Sequence, residues 1–477
     1  MKKSFFIVLV CLLVLFIGNL FAVEVTLLGP KQYIRAEGKP IVYTDNFPGR
    51  MGQGALLIRN GTFEGANRAS SAIIKVNGQV VCRTNDFNLE VYELEFPVSL
   101  EENNTLSVEL RSEVGSYLTI EIQQEIVNHE FHRDASIPLP GNVRGVKTGD
   151  IRDNGQYRII AGSHYSGYVY VFKYEGGSYV EEWNEQVTSD DAEILPVAVG
   201  DINNDGKNEF LVKEYSRFWG EGNLHVFQWN GVTYHKLLEQ DFGRSHLPCV
   251  IFDINNDGEN ELITIDEDGG YYFSVFKYNN SLNSLVKVWS IPAGDAIQIS
   301  VGDIDGDGNK EAACFLPWSV PGKILIIGHN GSNYTLEAEI DSFPFGLGGG
   351  SIADFDGDGK NEIITARYNV AAAEYPIYVV EYEGSSYNIQ TIYNATGGMF
   401  QINSGDIDGD GLPEASVQLN GPGALLVEFM GSGYHVVQDP YTNGVYSDVA
   451  DTDMDGRTEI IGAVWYGIQI VSDISIF

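Results

Sequence analysis

The chain is poor in cysteine and poor in positive charge. It has four cysteines in 477 residues, and Cys11 lies inside an apolar N-terminal stretch. The other three, Cys82, Cys249 and Cys314, are too few and too scattered to make a disulfide framework. Lys and Arg number 29 against 66 Asp and Glu, a formal net charge of −37. That balance argues against nucleic acid or an anionic membrane surface as partner. No helical period of useful length follows the N-terminus. There is no G-x-S-x-G, no P-loop and no Cys/His nucleophile pair. His129-Glu130-Phe131-His132 has the wrong spacing for a helical zinc-protease motif. The glycine run 346–350 precedes no helix, so it is read as a turn between repeats, not a phosphate cradle.

The N-terminus itself is informative. Lys2-Lys3, an apolar core from Phe5 to Ile17 and Leu20-Phe21-Ala22 make a secretory signal peptide over residues 1–22. The core is short for a spanning helix, so an uncleaved anchor is the alternative. A secreted, periplasmic or cell-surface protein follows, with no membrane span after cleavage.

The rest of the chain is dominated by six copies of one acidic loop, D-x-[DN]-x-D-G-x-x-E. The copies supply Asp201, Asn203, Asp205 and Glu209; Asp253, Asn255, Asp257 and Glu261; Asp303, Asp305, Asp307 and Glu311. Asp354, Asp356, Asp358 and Glu362; Asp406, Asp408, Asp410 and Glu414; and Asp451, Asp453, Asp455 and Glu459 complete them. Oxygen side chains at positions 1, 3, 5 and 9 with Gly at 6 suit a hard cation that takes six to eight oxygens, namely calcium. Position 7 varies freely, as expected if only its backbone carbonyl binds. An EF-hand needs its bidentate Glu at position 12 between helices. Here the acid is at position 9 and apolar, β-branched runs follow it, so strands flank the loop. A single such loop could be an acidic turn that binds nothing; six in register predict about six Ca²⁺.

A degenerate seventh copy starts at Asp150. The first aspartates are spaced by 51, 52, 50, 51, 52 and 45 residues, the period of a repeated supersecondary unit. Each period also holds an alternating strand, such as Val169-Tyr170-Val171-Phe172, and a Gly/Asn hairpin turn. Four strands per repeat and seven repeats predict a seven-bladed β-propeller over residues 129–477, since stacking in a ring covers the faces and edges of each blade. The chain ends after the third strand of the last repeat, and counting back from Asp150 assigns the missing strand to Phe131–Ile137.

Loops 303–311, 354–362 and 406–414 resemble the calcium loops of FG-GAP/VCBS repeats, the repeat that builds the propeller of integrin α subunits. The resemblance spans about residues 130–477. It implies a seven-bladed propeller with calcium in the loops between first and second strands. The first copy departs from it. Arg152, Asn154 and Arg158 stand at positions 3, 5 and 9, and two guanidinium groups there would repel calcium. No residue carries over an integrin-type ligand preference.

Residues 23–128 contain six expected strands, at 23–28, 55–58, 71–76, 91–97, 106–111 and 118–124, and read as a small β-sandwich. A spacer that carries the propeller is its plainest role. Function is expected on the propeller face opposite the acidic loops, where Trp219, Trp318, Trp465, Tyr215 and Tyr368 gather as candidate ligand-binding residues. Rings of that kind suit sugars or a protein hot spot, and equally a role in covering the propeller. Trp183, Trp229 and Trp289 fall within strands and read as packing. The leading expectation is a calcium-binding adhesion or recognition protein for an extracellular glycan or protein, without catalytic residues. The alternatives are a polysaccharide-degrading lyase or hydrolase and a purely structural cell-surface protein. A Lys, Arg or His cluster at the channel mouth, with an acid outside the metal loops, would favour the enzyme.

Overall fold

The computed structural model describes residues 23–49, 52–101, 103–126, 131–188, 192–216, 222–243, 248–368, 374–419, 422–430, 433–443, 446–464 and 467–473. The expected signal peptide lies outside these residues, as do Trp219 and Trp465. Among the described residues the chain is all-β, in nine four-stranded sheets, with one short 3-10 turn at Thr84–Asp86. No helix among them is long and apolar enough to cross a membrane. The chain divides into two compact units, 1–128 and 129–476.

The first unit has eight strands: β1 (Val23–Ile34), β2 (Val42–Pro48), β3 (Gly52–Asn60), β4 (Ala72–Val76), β5 (Gln79–Cys82), β6 (Glu93–Leu100), β7 (Asn103–Leu110) and β8 (Tyr117–Ile126). They form two sheets, ordered β1-β8-β3-β6 and β2-β7-β4-β5. The inward residues alternate, as in Leu56 and Ile58, Leu106 and Val108, or Ile120 and Ile122, and all are buried. β2 and β5 were not among the expected strands. The reason is that β2 buries only Phe47 and β5 is four residues long, so neither carries an apolar alternation.

The second unit opens with β9 (Phe131–Pro138) and continues in seven sheets, here numbered I to VII. Sheet I spans 142–186, II 192–241, III 249–292, IV 299–343, V 347–395, VI 399–443 and VII 447–473. Sheets I to VI each take four consecutive strands, and VII takes three plus β9. The segment expected to supply that strand does so, with Ile137 opposite Ile468 and Ala135 opposite Ile470. Second strands such as Glu311–Leu316 and Glu414–Leu419 are buried throughout, and after its glutamate the former is an unbroken apolar run. Fourth strands lie at the outside and alternate between burial and exposure. Between third and fourth strands the register slips at one equivalent place in five of the seven sheets, for example at Val226/Phe227 and Val275/Phe276. Such bulges sharpen the twist of a sheet.

First strands neighbour one another in chain order, and the first strand of sheet I (Asn142–Gly149) also lies against the first strand of sheet VII (Ser447–Ala450). Asp448 accepts from the Thr148 backbone N–H at 2.7 Å and from its hydroxyl at 2.9 Å, across 300 residues of sequence. Lys147 pairs with the same carboxylate at 3.3 Å. Gln298, just before the first strand of sheet IV, exchanges hydrogen bonds with the backbone of Ile402 in sheet VI. A cavity of about 90 Å³ between first strands is lined by Val146, Leu195, Val197, Ile299 and Tyr446.

The glycine run at 346–350 is not a turn. Leu347–Ala353 is the first strand of sheet V. A Cβ at Gly349 would meet Gln298 Oε1 at 1.8 Å, and one at Gly350 would meet the Phe315 ring at 2.3 Å. Glycine is there for close approach inside a strand, not for reversal.

A chain beginning at residue 127 keeps β9, and one beginning at residue 140 loses it. The longer chain is expected to fold as a monomer, while the shorter exposes the edge of sheet VII and aggregates. Equal solubility and equal thermal midpoints for the two would contradict this role of β9.

Candidate metal centres and the opposite face

Each acidic loop joins the first and second strands of its sheet, and its backbone is the same from copy to copy. Position 1 accepts the N–H of position 6, as in Gly206 to Asp201 at 2.8 Å and Gly308 to Asp303 at 2.9 Å. Position 5 accepts the N–H of position 7, as in Lys207 to Asp205 at 3.0 Å and Arg457 to Asp455 at 2.9 Å. The glutamate at position 9 opens the second strand and accepts the N–H of position 2. Those distances are 3.0 Å for Glu209, 3.2 Å for Glu261, 2.8 Å for Glu311, 3.0 Å for Glu362, 2.7 Å for Glu414 and 2.8 Å for Glu459. Glycine at position 6 has φ between 85° and 93°, a conformation that a Cβ would strain.

In five copies the carboxylates converge. Ligand oxygens of Asp201, Asp205 and Glu209, of Asp303, Asp305 and Glu311, of Asp354, Asp356 and Glu362, and of Asp406, Asp408 and Glu414 lie within 4.8 Å of one another. In the last copy Asp451, Asp453, Asp455 and Glu459 all take part. Asp307, Asp358 and Asp410 stay outside these sets and accept the N–H of position 7. Such a set fits a cation. The Oδ1 atoms of Asp354 and Asp451 are buried with no hydrogen-bond partner, which leaves each free to ligate.

Burial pushes Glu209, Glu311, Glu362 and Glu459 up to about 8, only partly offset by the backbone donors. Glu414 is likewise raised well above the usual carboxylate range, by burial first and Asp408 next. Burial likewise raises Asp305, Asp356 and Asp453.

Among the described residues the Asp253 copy does not converge on a common point. Lys277, on the third strand of sheet III (Tyr271–Asn279), places its Nζ 2.6 Å from Asp257 Oδ2 and 2.9 Å from Glu261 Oε1. The expectation of about six equivalent sites therefore meets five acid sets open to a cation and one filled by an ammonium. The degenerate first copy is also filled from within. Arg158, buried at position 9, donates to Asn154 Oδ1 at 2.8 Å and lies 3.4 Å from Glu182 on the fourth strand. Arg152 pairs with Glu182 at 2.8 Å and stacks 3.6 Å from the centre of the Trp229 ring.

Several loop residues escaped the sequence reading. Position 4 is left-handed in every copy (Asn204, Asn256, Gly306, Gly357, Gly409 and Met454), with φ between 58° and 81°. Asn or Gly in five of six copies was the available signal. Asn208, Asn260 and Asn361, at position 8, donate to the carbonyls of Asp150, Asp201 and Asp303 at 3.0, 2.9 and 3.0 Å. These bonds tie each loop to the one before it.

The loops between second and third strands, and the starts of the first strands, lie at the opposite end of each sheet. Trp318 is 63% exposed there, with Tyr368 set edge-on at 4.9 Å. Tyr368 in turn meets Phe400 at 5.5 Å, so it is a half-buried link between rings and not a free surface residue. Tyr215 is half-buried on the second strand of sheet II, opposite Glu193. Trp183 packs among Phe210, Phe227 and Tyr234, and Trp289 lies against Tyr334, as expected of packing residues. A cleft of about 380 Å³ beside Trp318 is lined by Asp295, Leu316, Ser319, Lys323 and Glu339. The first strands of sheets I and II and the second strand of sheet I hold a polar cluster. Arg144 Nε lies 2.7 Å from Glu193 Oε2, and His164 Nε2 lies 2.6 Å from Glu193 Oε1. The Arg144 guanidinium also sits 5.0 Å from the Tyr446 ring centre.

Residues 253–314 and 327–417 match the family model of the FG-GAP-like repeat. The chain carries FG-GAP-like repeats. The matched stretches include the acidic loops of sheets III to VI. No curated protein matches the sequence. Among solved structures, rhamnogalacturonan lyase YesW aligns at 14% identity over 87% of this chain and 88% of its own, with a TM-score of 0.41. The exotype rhamnogalacturonan lyase YesX aligns at 13% over 91% and 88%, with a TM-score of 0.42. A chain of the mitotic checkpoint complex aligns at 10% over 73% and 97%, with a TM-score of 0.49.

The raised glutamates set a pH dependence for the protein in chelator. Folded, they hold protons more tightly than in the unfolded chain, where they titrate near 4.5. Their contribution to stability is full below that pH and is lost as pH rises towards about 8. The thermal midpoint in EDTA should therefore fall between about pH 5 and pH 8. A midpoint that climbs over that interval would contradict the assignment.

Proposed function

We propose that this is a secreted, calcium-stabilised seven-bladed β-propeller, preceded by a small β-sandwich, that binds an extracellular glycan or protein on the face opposite its acidic loops. Convergence of carboxylates in five loops of one geometry supports the calcium part. Ca²⁺ is the cation that the all-oxygen, flexible donor set favours. Neutralising the buried glutamates and closing the loops would couple binding to folding. The apolar core of residues 5–17 after Lys2-Lys3 is the basis for secretion.

The observation that carries the recognition part is Trp318. It stands exposed over the cleft lined by Asp295, Ser319, Lys323 and Glu339, where strand packing does not need it. One aromatic face above hydrogen-bonding groups suits a sugar ring, and an aromatic anchor rimmed by polar groups also suits a protein hot spot. The Arg144–Glu193–His164 cluster supports a second reading, a lyase or hydrolase acting on polysaccharide. It places a carboxylate-oriented imidazole outside the metal loops, the arrangement a general base needs.

Thermal unfolding in EDTA should occur well below that in millimolar Ca²⁺, and Asp305→Ala should remove about one bound equivalent. An unchanged midpoint, with no calcium by elemental analysis, would overturn the metal reading. Trp318→Ala should leave the midpoint alone and cost a bound ligand on the order of 1–3 kcal/mol. A large drop in the midpoint would instead make the ring a structural cover. On the second reading, polysaccharides incubated with the protein release new reducing ends or double bonds, and Glu193→Gln and His164→Ala abolish that release. Binding without turnover leaves recognition alone.

A further inference from the structure

The third strand of each sheet passes behind the acidic loop, and its register puts one residue directly opposite the glutamate of position 9. In sheet II Glu209 faces Gln228. Sheet III pairs Leu262 with Phe276, which brings Lys277 to the same place opposite Glu261. The two side chains reach the same pair of oxygens. Gln228 Nε2 donates to Asp205 Oδ2 at 2.8 Å and to Glu209 Oε1 at 2.6 Å. Lys277 Nζ lies 2.6 Å from Asp257 Oδ2 and 2.9 Å from Glu261 Oε1. One loop is thus met by a neutral amide and the other by an ammonium.

The same register gives a different residue in each remaining sheet. Glu311 faces Gly328, Glu362 faces Glu381, Glu414 faces Glu428 and Glu459 faces Ser472. Where the residue is glycine, the carboxylate of Glu337 fills the gap, since a Cβ on Gly328 would meet its Oε1 at 2.3 Å. No other sheet from II to VII puts a cation at this position. In sheet I the cation is on the loop itself, as Arg158.

We infer that this third-strand position decides which loops take a metal ion, and that Lys277 is a tethered cation that replaces calcium in the Asp253 loop. The inference rests on the calcium reading of the other loops. Asp253, Asp257 and Glu261 supply three carboxylates, and Asn255 Nδ2 also donates to Glu261, at 2.8 Å. An ammonium held between two of those carboxylates takes up the oxygens a Ca²⁺ would need. A calcium ion entering there would have to expel it and leave its charge close by.

The test is a count of bound calcium in the full chain, by elemental analysis after equilibration with micromolar Ca²⁺. The wild type should hold five equivalents. Lys277→Met should hold six, and Lys277→Arg should still hold five. Gln228→Lys makes the reciprocal change in sheet II and should hold four. The Lys277→Met protein should also lose thermal stability in EDTA and regain it in Ca²⁺, a readout that needs no exact count. Six equivalents in the wild type, or five in Lys277→Met, would overturn the role of Lys277 and leave the calcium reading standing. None in the wild type would overturn both. If Lys277→Met fails to fold even in Ca²⁺, Gln228→Lys decides alone, and five equivalents there would refute the inference.

Discussion

The buried glutamate at position 9 is the interaction on which the repeats depend. It stands where the acidic loop turns into the second strand, and it holds the loop closed by accepting the N–H of position 2 in every copy from sheet II to sheet VII. Glu209 and Glu261 have no exposed surface at all. A carboxylate in that position is costly unless something compensates its charge or it takes up a proton. The repeats meet this demand in different ways. Five gather further acids into sets fit for a metal ion, one brings in Lys277, and the first replaces the glutamate by Arg158 and pairs its arginines with Glu182. From sheet II to sheet VII the buried group is an acid that needs a nearby positive charge, and in sheet I the signs are exchanged, with buried Arg158 meeting Glu182.

The inner strands face a second constraint. They run beside one another around a narrow cavity and carry polar backbone that no fifth strand can pair. Side chains meet it instead. Asp448 serves Thr148, Gln298 serves Ile402, and Asn403 reaches the Ser447 carbonyl at 3.0 Å. Each of these bonds joins two different sheets, so satisfying buried polar groups also holds the sheets together. The glycines of sheet V belong to the same crowding, because Gln298 and Phe315 occupy the space their side chains would need.

The end of the sheets away from the acidic loops has a different chemistry. The acidic end repeats, whereas the other end differs from sheet to sheet. Sheets IV to VI contribute the ring chain of Trp318, Tyr368 and Phe400. Sheets I and II contribute Arg144, His164 and Glu193. Loops that need not hold the fold are the part of such a scaffold free to carry recognition or chemistry.

The strand pattern, the seven repeats and the segment that becomes β9 were legible in the sequence. Those features depend on residues near one another in the chain: turn glycines, β-branched runs and acids at fixed spacing. The acidic loops were legible for the same reason, down to the glycine at position 6 and the arginines that spoil the first copy. β2 and β5 were not, since their pairing is fixed by neighbours and not by an apolar alternation of their own. Nor was the glycine run of sheet V, because only the approach of Gln298 and Phe315 distinguishes a crowded strand from a turn. Lys277 shows the limit most plainly. In the sequence it is one lysine in an alternating strand, 16 residues beyond the glutamate it meets. Strand register alone places its ammonium against Asp257 and Glu261, because antiparallel pairing brings together residues that the chain order keeps apart.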